Sequence, residues 1–89
     1  MTVRFFPTTK TPADTAKRMK RFATAFLWSN WLEPVECRNW HLRVENFRNR
    51  RPALRLSADF GRFRYIEKDM ADDLKCGLQK HGFRFEPSW

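Results

Sequence analysis

The 89-residue sequence is short of glycine, of cysteine and of negative charge: three Gly, two Cys, and ten Asp and Glu against eighteen Lys and Arg. Gly61, Gly77 and Gly82 stand apart from one another. No phosphate-cradling glycine loop, dinucleotide fingerprint or nucleophile elbow can be built from them. Cys37 and Cys76 lie far apart with no Cys-x-x-Cys pair, which argues against a disulfide framework and leads us to expect buried, reduced thiols. Cys37 with His41, and Cys76 with His81, have spacings unlike the tight ligand pairs of zinc modules, so neither a metal nor another cofactor is expected. No apolar run approaches the roughly 18 residues needed to cross a bilayer, so no membrane partner is expected. Residues 1–10 lack the apolar core of a secretory signal, which points to a cytoplasmic protein.

What the chain does have is aromatic rings and arginine. Nine Phe, four Trp and one Tyr make up 16% of the residues, enough large rings to fill a small core economically. The net charge is +8, more than solubility asks for and weakly opposed to compaction through self-repulsion. The excess is concentrated. Residues 38–64 carry eight arginines and no lysine against Glu45 and Asp59, a net +6 over 27 residues. Arginine without lysine suits phosphate oxygens or carboxylates, because the planar guanidinium donates two parallel hydrogen bonds and stacks on rings.

Hydrophobic periodicity predicts six elements. Thr2–Phe6 is β-prone and stopped by Pro7. Thr11-Pro12-Ala13-Asp14 is a helix start, and the helix should run to Leu32, because Glu33 precedes Pro34. Ala16, Met19, Phe22, Ala23 and Phe26 form its apolar stripe, with Lys17, Lys20, Arg21 and Trp28 on the opposite side. From Trp40 the period becomes two: Trp40, Leu42 and Val44, then Leu54, Leu56, Ala58 and Phe60. The connection at residues 46–52 makes an arginine-rich hairpin tip. After Gly61, the out-of-phase Phe63 and Tyr65 are expected in a bulged continuation or a third strand. A second helix is predicted over Lys68–His81, with Asp69, Asp72 and Asp73 at its N-terminal end, stripe residues Met70, Leu74, Gly77 and Leu78, and Gly82 as its stop. Phe83–Phe85 reads as a last strand before Pro87.

The order β-α-β-β-α-β implies a single α+β domain over residues 1–89. It is the order of a ferredoxin-like two-layer sandwich, with an antiparallel sheet and two helices on one face. That architecture resembles the RNA-recognition module, which reads single-stranded RNA on its open sheet face. The segment Phe60-Gly61-Arg62-Phe63-Arg64-Tyr65 interleaves basic and aromatic residues but does not fit that module's glycine–aromatic signature, so the resemblance is one of architecture alone.

These features imply a non-enzymatic protein that holds nucleic acid, RNA or DNA, by its phosphates. Arg43, Arg48, Arg50, Arg51, Arg55, Arg62 and Arg64 are the expected contacts, with Lys17, Arg21 and Trp28 as a second patch. Three alternatives stand beside it. The arginines could be a solvated hairpin paired with Glu33, Glu36, Asp72 or Asp73. They could dock an inhibitor or adaptor onto an acidic protein. Or His41 could be the general base of a small metal-independent ribonuclease toxin, with arginines steadying the phosphorane.

Overall fold

The computed structural model describes residues 1–31, 39–47 and 50–88. Glu33, Glu36, Cys37, Arg48 and Trp89 lie outside them. The chain is α+β: β1 (Thr2–Pro7), α1 (Pro12–Trp31), β2 (Trp40–Phe47), β3 (Arg50–Ala58), α2 (Arg64–Lys80) and β4 (Phe85–Ser88). The strands form one sheet in the order β2-β3-β1-β4, and every neighbouring pair is antiparallel.

Alternation sorts each strand into two faces. Val3, Phe5 and Pro7 of β1, Trp40 of β2, and Leu54, Leu56 and Ala58 of β3 are buried, while Arg4, Phe6, Arg43 and Arg55 point the other way. Met19, Ala23 and Leu27 of α1 and Met70, Leu74 and Leu78 of α2 close a single core cluster with the inward strand residues. Each fully buried large aliphatic side chain contributes roughly 1.5–3 kcal/mol of transfer free energy. Phe5 sets its ring edge-on to Phe85 at 5.2 Å, tying β1 to the short β4. The helices approach closely where Gly77 meets the Phe26 ring; a Cβ there would stand 2.7 Å from Cε2 of that ring.

Five expectations are corrected. Residues 62–65 are not a strand: α2 begins at Arg64, a turn ahead of the predicted Lys68. Gly61 takes a φ of +61°, its N–H donates to Asp59 Oδ1 at 2.9 Å, and the bonds Phe63 N–H to Phe60 O and Ile66 N–H to Phe63 O launch the helix. Asp69, Asp72 and Asp73 therefore lie beyond the first turn, where Glu67 sits instead. β4 runs through Pro87 rather than ending before it; an edge strand tolerates the missing donor, and Pro87 pairs with Phe5. The hairpin tip is tighter than predicted, because Phe47 pairs with Arg50 across a register shift and Arg51 and Pro52 belong to β3. Cys76 is exposed, not buried.

Candidate polyanion-binding surfaces

The sheet face away from the core is where alternation and register bring arginines together. Arg43 of β2 is the cross-strand partner of Arg55 in β3, Arg55 is the partner of Arg4 in β1, and Arg4 is opposite Ser88 in β4. A row of three guanidinium groups thus crosses the sheet. Like charges directly opposite one another destabilise a sheet unless something neutralises them. Glu45, one alternation along β2, does so. Arg4 Nε donates to its Oε2 at 3.0 Å, and Arg55 Nη1 lies 2.9 Å from its Oε1. Glu45 is held under the two arginines with only 9% of its side chain exposed. Arg55 Nε is buried without a hydrogen-bond partner, so Glu45 supplies the carboxylate contact of that guanidinium.

Further along the same face, Arg51 Nη2 donates to Glu86 Oε2 at 2.8 Å and its guanidinium lies over the Phe6 ring, 5.7 Å from the centroid. Arg43 is exposed and has no carboxylate partner among the described residues. Beyond the arginine row, His41, Ser57 and Thr2 stand side by side. They line a cleft of about 260 Å³ with Met1, Asn39 and Asp59. The Asp59 carboxylate in that cleft is engaged by the Gly61 N–H.

The other expected contacts lie elsewhere. Arg62 and Arg64 occupy the turn into α2, off the sheet. Arg62 rests on the Phe63 ring at 5.4 Å, and Phe63 and Tyr65 meet edge-on while staying 45% and 64% exposed. An open cleft of about 600 Å³ beside them is lined by Met1, Asp59, Gly61, Arg64, Glu67 and Lys68. Glu67 accepts from the Met1 ammonium at 2.9 Å and, at 3.5 Å, from the Phe60 N–H. The ammonium hydrogen bond holds its carboxyl below the ordinary value of 4.5, against the opposing pull of burial. Arg48 is outside the described residues, and Arg50 is described by its backbone alone, opposite Phe47.

Lys17, Arg21 and Trp28 belong to α1, in the helical layer rather than on the arginine row. Trp28 is 37% exposed and leans edge-on against Trp40 at 5.4 Å, which spends part of its surface on the fold. Arg21 instead lines a cleft of about 310 Å³ with Arg18, Phe22, His81 and Phe83. The middle-third arginines, read along the chain as one patch, therefore divide between the sheet face and the α2 turn.

Arg4 was missed from the sequence, though its alternation with Val3 and Phe5 was the signal for its face. Among the described residues no three or more His, Cys, Asp or Glu gather as a metal site, and no helix is long and apolar enough to cross a membrane. Comparison of the chain with protein-family models, with curated proteins and with solved structures gives no match. What it does has to be read from its own geometry.

Proposed function

We propose that this chain is a ferredoxin-like two-layer sandwich, with both helices on one side of its sheet, and that the other side holds single-stranded nucleic acid without catalysing a reaction. The strand order β2-β3-β1-β4 with antiparallel neighbours supports the first part. One observation carries the second: Arg43, Arg55 and Arg4 form a cross-strand row on the sheet face opposite the core. A strand laid along that row would put its phosphates in reach of Arg43, which has no carboxylate partner among the described residues, and of the outer edges of Arg4 and Arg55, with Arg51 at the margin. Such contacts position a backbone and do not read bases.

Fluorescence anisotropy with single-stranded RNA and DNA tests this reading, together with backbone amide shifts of the full chain. Affinity should fall steeply as salt rises, because each neutralised phosphate releases counterions. The shifted amides should fall in β1, β2 and β3. Salt-independent affinity, or no binding at low salt, would overturn the reading.

A second reading has its own observation in the exposed Phe63–Tyr65 pair flanked by Arg62 and Arg64. Tyrosine and arginine are the residues that anchor protein interfaces. An acidic protein that stays bound after nuclease treatment, and is released by Tyr65→Ala, would favour this adaptor reading.

A further inference from the structure

Of the clefts at the Met1 end of β1, both contain Asp59 and one also contains Glu67. At the opposite end of that strand the lining changes sign. A cleft of about 190 Å³ is lined by Thr9, Thr15, Arg18, His81, Gly82, Phe83 and Arg84, and no carboxylate is among them. It shares Arg18, His81 and Phe83 with the cleft that Arg21 and Phe22 line, which also has no carboxylate among its described lining residues.

Three separate pieces of chain build this corner. The helices run antiparallel, so Phe22 of α1 stacks on His81 at the end of α2, with ring centroids 4.3 Å apart and planes 21° from parallel. Gly82, at a φ of +98°, turns the chain so that Phe83 returns to the same rings, 5.3 Å from His81. Thr8 N–H then takes the Arg84 carbonyl at 3.1 Å, which fixes Arg84 beside the loop before α1. Three of the carbonyls at the end of α2 accept backbone hydrogen bonds. Those of Gly77, Leu78 and Gln79 accept from the N–H groups of His81, Phe83 and Gly82. Arg18, Arg21 and Arg84 have no carboxylate partner among the described residues; Arg18 makes a long 3.4 Å approach to Thr15 Oγ1.

We infer that this corner binds a nucleotide carrying a terminal phosphate, either free or at the end of a strand. The doubly charged phosphate sits between Arg18 and Arg84, with the Thr9 hydroxyl, itself 2.8 Å from the buried Thr15 Oγ1, as a further donor. The base lies against the Phe22–His81–Phe83 rings, with Arg21 at their rim. The larger cleft alone reaches the lower end of the roughly 300–1,000 Å³ typical of small-molecule sites. This assignment is independent of the sheet-face reading, since none of its residues belongs to the arginine row.

Proton NMR of the His81 ring in the full chain tests it, with AMP, adenosine and inorganic phosphate as probes. AMP should shift the ring resonances saturably and bind more tightly than phosphate or adenosine. The double change Arg18→Gln with Arg84→Gln alters two exposed side chains and should leave the thermal midpoint unchanged while weakening AMP at least about tenfold, the equivalent of one lost charge-assisted contact. Arg43→Gln should leave AMP binding as it is. A further gain for a 5′-phosphorylated over a 5′-hydroxyl oligonucleotide identifies a strand end as the ligand, and equal affinity identifies the free nucleotide. Adenosine binding as tightly as AMP, or undiminished AMP binding by the folded double variant, overturns the assignment.

Discussion

The outer face of the sheet and the corner formed by α1, the end of α2 and the approach to β4 are both rich in arginine, yet they differ in what the arginines touch. On the sheet, Glu45 takes Arg4 and Arg55, and Glu86 takes Arg51, while Arg43 has no carboxylate partner among the described residues. At the corner, Arg18, Arg21 and Arg84 line clefts with no carboxylate among the described lining residues. The first surface is organised by its ion pairs: the glutamates hold the guanidinium groups in place and lower the field they project. The second is held open by aromatic stacking and keeps its full charge. Positive charge counted along a chain is therefore a poor measure of charge available to a ligand. What matters is whether the fold returns a carboxylate to it.

Removing Glu45 should break the contrast most severely. Glu45→Gln leaves Arg4, Arg43 and Arg55 facing one another without a counter-charge and strands the partly buried Arg55. A loss of about 2–3 kcal/mol is expected, read as a lower urea midpoint at unchanged slope. A loss near zero would mean that Arg4 and Arg55 are not tied to this carboxylate at all.

Glu67 is a second shielded carboxylate in an ion pair, at the Met1 end. Its carboxyl is lowered in the folded chain, so its stabilisation is fully present above the ordinary value of 4.5 and is lost as pH falls through the folded value. Thermal melts of the wild type and Glu67→Gln should differ near neutrality and converge in acid. A gap that persists well below pH 4.5 would show that the ammonium pair is not its source.

The smallest effect belongs to Glu86, which meets Arg51 with both side chains more than half exposed. Glu86→Gln should shift stability by no more than about 0.5 kcal/mol, as exposed pairs do. A larger loss would place this pair with Glu45 rather than with solvent-screened bridges.

Much of the fold was legible in the chain. The period-two runs place Trp40 and Leu56 in the core, and the helical stripes place Met19, Ala23, Leu74 and Leu78 there. These depend on local spacing, which one sequence displays. The start of α2 was not legible, because Arg62 to Tyr65 alternate like a strand while the Gly61–Asp59 contact and two backbone hydrogen bonds turn them into a helix start. Nor was the state of the arginines: Glu45 is 41 residues from Arg4, and Glu86 is 35 from Arg51, separations that only strand pairing closes. The corner was hidden for the same reason. His81 read as a helix end, and nothing local says that antiparallel helices would set Phe22 against it.

The most direct test of the sheet-face account is how the affinity for single-stranded RNA varies with salt in the wild type, Arg43→Gln and Glu45→Gln. Each lost phosphate contact should reduce the magnitude of the log-log slope by about 0.7. Arg43→Gln is expected to flatten the slope by that much, and Glu45→Gln, by releasing Arg4 and Arg55, to steepen it while raising affinity. Identical slopes for all three proteins would contradict the account.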